Sequence, residues 1–323
     1  MSPDGPSSTA LITGVTGQDG YYLAELLLSK GFQVHGVLRP GQGHTGLPPV
    51  HTHNADLTDT DTVSGLISEV QPDFAFHLAA VSSVATSWQE PVATTRMNAL
   101  GTVNLLEGCL RAQDRSGKKI VVVNASSCEI FAGAIESVQT ETTPLCPISP
   151  YGASKAFGFM MSRAYRAKGL EASNAILYNH ESPRRPKKFV TRKITSAVAA
   201  IASGRRDRLV LGDISVKRDW GWAPDYVDAM YRTAKYGKGD DFVIATGFAH
   251  SVSDFVAAAF AAVGITEWES RIETDAALLR PADRAAAVGD AAKARAILGW
   301  EPTMSFDDIV KAMVHFDLSG QDS

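Results

Sequence analysis

Residues 9–20 read Thr9-Ala-Leu-Ile-Thr13 and then Gly14-Val-Thr-Gly17-Gln-Asp-Gly20. The apolar run between the two threonines fits a buried strand, and Gly14 closes it. The glycines permit a tight turn and let backbone N–H groups approach a pyrophosphate at the start of the next helix. Residues 21–30 carry Leu23, Leu26 and Leu27 at helical spacing and stop at Gly31. Residues 33–38, Gln-Val-His-Gly-Val-Leu, supply a second strand. Strand, glycine turn, helix and strand within residues 9–38 form the βαβ unit of a parallel sheet.

The alternation continues outward. Helices are expected over 58–70, 92–115 and 149–168, and strands over 73–80, 119–124 and 172–178. Such repetition predicts an α/β chain with a Rossmann-type doubly wound parallel sheet over 9–178. Beyond 179 the pattern turns irregular, with a basic stretch, a helix over 190–203 and a short strand over 208–211. Residues 212–247 are expected to return to the sheet domain, with 242–245 as its last strand. Residues 179–211 and 248–323, with late helices at 252–263 and 306–316, are expected to form a smaller C-terminal substrate lobe. Residues 1–8 are Pro-, Ser- and Gly-rich with Asp4, a disordered start rather than a signal peptide.

Composition excludes several classes. The 323 residues are 45% hydrophobic, and 31 Lys+Arg stand against 35 Asp+Glu for a net charge of −4. A core of that size needs no disulfide or metal staples. The acidic balance argues against a general nucleic-acid or membrane-surface binder. No apolar run approaches the ~20 residues of a membrane span. Cys109, Cys128 and Cys146 are odd in number and lack metal-ligand spacing, as expected in a reducing, cytoplasmic compartment. A soluble enzyme fits best.

The chemistry-bearing residues follow the glycine turn in order. Tyr151-Gly-Ala-Ser-Lys155 places a phenol and an ammonium on one helical face, and the cation is expected to favour phenolate, making Tyr151 a base. Asn124-Ala-Ser-Ser-Cys-Glu-Ile130 reads as a loop at the C-terminal end of a sheet strand, where open α/β sheets bind ligands. In it, Ser127 can hydrogen-bond a substrate hydroxyl. Glu129 adds a carboxylate that a simple alcohol dehydrogenase does not need. Cys128 has no evident base beside it and reads as structural. The second strand ends in Leu38-Arg39-Pro40 with no acid before Asp56, so Arg39 suits a 2′-phosphate and NADP is favoured, with NAD as the alternative. Asp56-Leu57 is positioned for the adenine edge, and Leu78, Ala79 and Ala80 for the ribose. His35, His44, His51 and His53 cluster around a short segment, 40–53. Without a third ligand at a known spacing, His51-x-His53 reads as solvated loop, and no metal is expected.

With these motifs the chain resembles the extended short-chain dehydrogenase/reductases, and within them the GDP-mannose 4,6-dehydratases, over roughly residues 10–316. The narrower match lies in Asn179-His-Glu-Ser-Pro-Arg-Arg185, Phe189-Val-Thr-Arg-Lys-Ile194, residues 217–230 and residues 241–247. The resemblance implies oxidation by Ser127, Tyr151 and Lys155, and elimination by Glu129. It implies cofactor contacts from Gly14, Thr16, Gly17, Gln18, Asp19, Gly20, Arg39, Asp56, Leu57, Leu78, Ala79, Ala80, Tyr151 and Lys155. For a nucleotide sugar it implies Ser82, Asn179, Glu181, Arg184, Val190, Lys193, Arg218 and Arg280. The reaction implied is C4 oxidation, loss of water across C5 and C6, and return of the hydride to C6. Residues 184–193 carry six positive charges in ten positions, which fits a clamp for a diphosphate.

The chain also departs from the family. Ser126-Ser-Cys-Glu-Ile-Phe-Ala132 stands where the family reads Ser-Thr-Ser-Glu-Leu-Tyr-Gly. Segment 40–53 is shorter than the family's arginine-containing loop, so a homodimer through helices 92–115 and 149–168 is implied rather than a tetramer. Residues 77–84 with Ser87-Trp88 look closer to the related ketosugar reductases. A ketoreductase or epimerase on a related nucleotide sugar is therefore the second enzyme reading. A dinucleotide-sensing binding protein without catalysis is the reading from another class.

Overall fold

The computed structural model describes residues 8–43, 46–275 and 287–320. The expected disordered start (through residue 7), His44 and Arg280 lie outside the described residues.

Five strands open the fold: β1 (Thr9–Thr13), β2 (Gln33–Leu38), β3 (His51–Asn54), β4 (Phe74–His77) and β5 (Val121–Ser127). With Glu171–Leu177 and Asp241–Ile244 they make a seven-stranded sheet, in the order Asp241–Ile244, Glu171–Leu177, β5, β4, β1, β2, β3. Every neighbouring pair is parallel. This is the doubly wound α/β fold read from the sequence. The order reverses between β1 and β4, which leaves a crevice at their C-terminal ends.

Burial on both faces explains the apolar run in β1. Ala10 and Ile12 join one core with Leu23 and Leu27 of α1 (Gln18–Ser29). Leu11 points the other way, into a core with Val63 and Ile67 of α2 (Thr60–Val70). Leu11, Ile12, Leu23 and Leu27 are 0% exposed. Each such side chain contributes about 1.5–3 kcal/mol by leaving water.

A third core gathers Ile194, Val198, Trp220, Phe255, Ile309 and Met313 from the helices Val190–Ala202, Val252–Ala261 and Phe306–Leu318 and the strand Lys217–Trp222. A small sheet lies beside it. Lys217–Trp222 pairs parallel with Asn179–Glu181, bringing Trp220 opposite Asn179, and antiparallel with Ala249–Ser251. Two motifs some forty residues apart in sequence thereby become neighbours at one edge of the crevice.

Three local expectations change. His51–Asn54 is an edge strand rather than a loop, with His35 in register with His51. Parallel pairing puts three imidazoles together: His35 stacks at 4.9 Å on His51 and 5.1 Å on His53, and its Nδ1 lies 2.8 Å from His53 Nε2. Among the described residues, no group of three such donors is placed to hold a metal ion. The helix expected over 92–115 is interrupted by a π-turn, Arg96–Leu100, before Gly101–Ser116 resumes. Asn98 lies in that turn, where its amide brackets Val81 N and O at 2.8 and 3.1 Å and donates to Ser154 Oγ at 3.0 Å. A π-turn at such a junction marks a functional constraint. Finally, the loop expected over 124–130 is β5 running to Ser127, followed by the 3-10 turn Cys128–Phe131.

Candidate active site

The glycine turn is packed too tightly for side chains. A Cβ on Gly14 (φ 74°) would lie 2.8 Å from Ala79 N, and one on Gly20 would lie 2.3 Å from Gly14 O. Gly17 caps α1 without a side-chain hydrogen bond, so the first-turn N–H groups remain available to an anion. Thr13 Oγ1 accepts from Leu78 N and Ala79 N at 3.1 and 3.2 Å, which fixes the end of β4 against the turn. Its neighbour His77 is buried between Thr13 and Thr102, and burial lowers the imidazole to about 3. That ring is neutral at any working pH.

The catalytic candidates converge at the end of β5. Ser149 caps the helix Pro150–Ala167 by accepting from Gly152 N at 3.0 Å, which sets Tyr151 in the first turn. A Cβ on Gly152 would lie 2.7 Å from Glu129 O, so this glycine lets the helix pack against the turn that carries Glu129. Ser127 accepts from Glu129 N at 3.3 Å, and its hydroxyl is close enough to the Tyr151 phenol to lower that phenol's pKa. Lys155 Nζ donates to Ala125 O at 2.7 Å.

Electrostatics corrects one expectation. Burial raises the Tyr151 phenol above its usual range, and Glu129 and Cys128 add to the rise, against the lowering effects of Ser127 and Arg185. Burial lowers the Lys155 ammonium to about 8, with Asp19 opposing. Lys155 alone therefore does not make Tyr151 a phenolate. Its charge is fixed on a β5 carbonyl, and desolvation dominates at the phenol. Burial also raises the Cys128 thiol, consistent with a structural cysteine.

The glycine turn, Ser127, Cys128, Glu129, Tyr151 and Lys155 face one cleft of about 580 Å³. Gly14, Thr16, Gly17, Gln18, Asp19, Gly20, Arg39, Asp56, Leu57, Leu78, Ala79 and Ala80 line it at the switch point, and Ser127, Glu129, Tyr151 and Lys155 line its inner wall. Beyond them lie Ser82, Asn179 and Arg218.

The sequence model of one family, described as GDP-mannose 4,6 dehydratase, matches residues 11–313. The chain belongs to the GDP-mannose 4,6 dehydratase family. GDP-mannose 4,6 dehydratase 2 of Arabidopsis thaliana is 42% identical, covering 97% of this chain and 87% of that one. GDP-mannose 4,6-dehydratase sdnI of Sordaria araneosa is 41% identical over 96% of this chain, which spans 61% of that longer relative. In structure, the UDP-glucose 4-epimerase of Thermus thermophilus, solved with NAD, superposes with a TM-score of 0.83 at 27% identity, over 96% of this chain and 98% of that one.

Against the contact set implied by likeness to the dehydratase family, the placement of the 179–193 segment is mixed. Glu181, Arg184, Val190 and Lys193 do not line the cleft. Glu181 is 1% exposed, accepts from Thr191 Oγ1 at 2.6 Å and pairs with Arg185 at 3.3 Å. Arg184 lies over the Tyr21 ring, 3.2 Å from its centre. Gln18 and Asp19 line the cleft, but their side chains tie the turn to the neighbouring strand. Gln18 Nε2 donates to His180 O at 3.1 Å and Gln18 Oε1 accepts from Ser182 Oγ at 2.8 Å, while Asp19 meets His180. Sequence reasoning missed His180, Arg185, Lys188 and Gln42, which line the same cleft. Gln42 Nε2 donates to Thr16 Oγ1 at 2.9 Å, closing the shortened segment onto the glycine turn. A signal for the first three lay in the charge density of 180–188, but one-dimensional spacing did not show which side chains turn inward.

Proposed function

We propose that the protein catalyses the NADP-dependent dehydration of GDP-mannose to its 4-keto-6-deoxy product. The observation that carries this reading is Glu129 facing the same cleft as Ser127, Tyr151 and Lys155. The dinucleotide fits the residues present: Gly14 and Gly20 leave no room for a Cβ, the α1 N-terminus carries no side-chain cap, and Arg39 lines the same cleft, where it would meet a 2′-phosphate. NADP⁺ held by these residues would supply the hydride acceptor for sugar C4 and the donor for C6, and its positive ring would favour the phenolate that burial opposes.

The chain's own residues do the rest. Ser127 hydrogen-bonds the sugar 4-hydroxyl, and Tyr151 removes its proton. Once C4 is a ketone, the C5 proton is acidic, and Glu129 takes it. The protonated Glu129 then donates to the departing C6 hydroxyl, which leaves as water. Return of the hydride to C6 leaves an enolate carbon at C5, which takes a proton back from Tyr151 or a nearby group, so oxidation and reduction cancel and the net change is loss of one water. Asn179, Lys188 and Arg218, which line the cleft, supply the polar and cationic contacts a nucleoside diphosphate requires, while Arg185 faces the anionic cofactor.

A homodimer fits the exposed apolar side chains Val92, Leu100, Phe157 and Met160 on the helical segments implied to pair. The free cysteines suit a reducing cytoplasmic setting. Among the described residues no helix is long and apolar enough to cross a membrane.

Incubation with GDP-, UDP-, dTDP- and CDP-hexoses and catalytic NADP⁺, scored by mass, tests the reading. Loss of one water from GDP-mannose is expected. In a parallel incubation supplied with NADPH, its stoichiometric consumption instead identifies a ketoreductase, and an isomeric product of unchanged mass identifies an epimerase.

A further inference from the structure

Arg192 does not line the cleft, yet it is 1% exposed. It sits in the first turn of Val190–Ala202, where its Nε donates to Pro183 O at 2.8 Å. Its Nη1 pairs with Asp317, and the Phe316 ring lies 5.5 Å from the guanidinium carbon. Asp317 occupies the last turn of Phe306–Leu318, where a carboxylate opposes the helix dipole. Its side chain is 7% exposed, and its Oδ2 has no hydrogen-bond partner among the described residues. Helix formation gives no reason for an acid there; the buried cation does.

That pair grips a turn which belongs to the cleft. Pro183 lies within residues 182–185, where Arg185 N donates to Ser182 O at 3.0 Å and Arg184 N to Ser182 Oγ at 3.1 Å. Ser182 Oγ in turn donates to Gln18 Oε1 behind the glycine turn. Arg185 lines the cleft, close enough for its charge to act on both Asp19 and Tyr151. We propose that Arg192 and Asp317 form a positioning pair that fixes the 182–185 turn from behind and sets where Arg185 meets the anionic cofactor. The planar guanidinium reaches the Pro183 carbonyl through Nε and the Asp317 carboxylate through Nη1 in one fixed geometry, which the single nitrogen of an ammonium does not reproduce. The inference rests on the cofactor reading above and assigns the C-terminal helix a part in it.

Stability and positioning separate in the double variant Arg192→Met with Asp317→Leu. Well-packed apolar replacement of a buried ion pair is commonly neutral or stabilising. The double variant is therefore expected to melt at or above the wild-type temperature. Methionine offers Pro183 O no donor, so the Kd for NADP⁺ is expected to rise roughly tenfold, with KM rising more than kcat falls. Arg192→Lys keeps the charge and gives the same binding readout should the apolar pair not fold. A folded variant that binds NADP⁺ as tightly as wild type overturns the positioning role alone. Wild-type protein that does not bind NADP⁺ overturns the cofactor reading, and the positioning role with it.

Discussion

Both carboxylate oxygens of Asp19 lie on one imidazole nitrogen, His180 Nε2, at 3.0 and 2.9 Å. The other nitrogen, Nδ1, lies 2.7 Å from Tyr178 O, which can only accept. Nδ1 must therefore carry a proton, and a bare Nε2 would set a lone pair against a carboxylate. The ring is an imidazolium. This ion pair joins the first turn of α1 to the strand Asn179–Glu181, across the cleft floor.

The pair makes folding stability depend on pH. Asp19 raises the His180 value above its ordinary 6.5 against the opposing effect of burial, and His180 lowers the Asp19 value below 3.8, again against burial. A raised imidazole stabilises fully below 6.5, and that contribution is lost as pH rises through the folded value. A lowered carboxylate stabilises above 3.8, and that contribution is lost as pH falls through its folded value. His180→Asn should lower stability by about 1.5–3 kcal/mol between those limits, and the difference from wild type should shrink in more alkaline buffer. Melting curves of both proteins across pH check it.

Glu129→Gln separates the two halves of the chemistry. The variant should still reduce bound NADP⁺ in the presence of GDP-mannose, because Ser127, Tyr151 and Lys155 are untouched. Loss of water should fall by about 10²–10⁴. Tyr151→Phe should abolish even the first hydride transfer. Rapid-mixing absorbance follows reduction and mass follows water loss; full dehydratase turnover in Glu129→Gln removes that residue from the elimination step.

Lys155 should titrate near 8 in the free protein rather than at the ordinary 10.5 of a lysine. The site loses its ammonium charge as pH rises through that value. Acylation of Lys155 by an amine-reactive ester, followed by peptide mass against pH, should rise half-maximally near 8. A rise only near 10.5 shows an ammonium that burial does not perturb.

Two glycine substitutions should act in opposite directions. Gly20→Ala brings a Cβ to 2.3 Å from Gly14 O and 2.6 Å from Val15 Cα, backbone atoms that cannot move aside without opening the turn. It should destabilise by about 1–3 kcal/mol and weaken NADP⁺ binding. Gly65→Ala in α2 meets nothing within 4 Å, and should stabilise by roughly 0.5–1 kcal/mol. Thermal melts and dinucleotide titrations of the pair check both.

The sheet was readable because β1 and β5 are buried on both faces and therefore lack polar alternation. Their glycine and serine ends pointed to the crevice for the same reason: the last residues of parallel strands face ligands. β3 was hidden because His51-Thr-His-Asn54 has no apolar face of its own and is held by pairing with β2. The inward turn of His180 and the outward placement of Arg184 on Tyr21 depend on contacts with α1 some 160 residues away. Helical spacing shows that Lys155 is near Tyr151, but not that burial raises the phenol.

The most direct test of dehydration by C4 oxidation and hydride return uses GDP-mannose carrying deuterium at C4, with catalytic NADP⁺. A dehydratase of this design delivers the label to C6 of a product one water lighter. Deuterium retained at C4, or lost to the cofactor pool without loss of water, would contradict it.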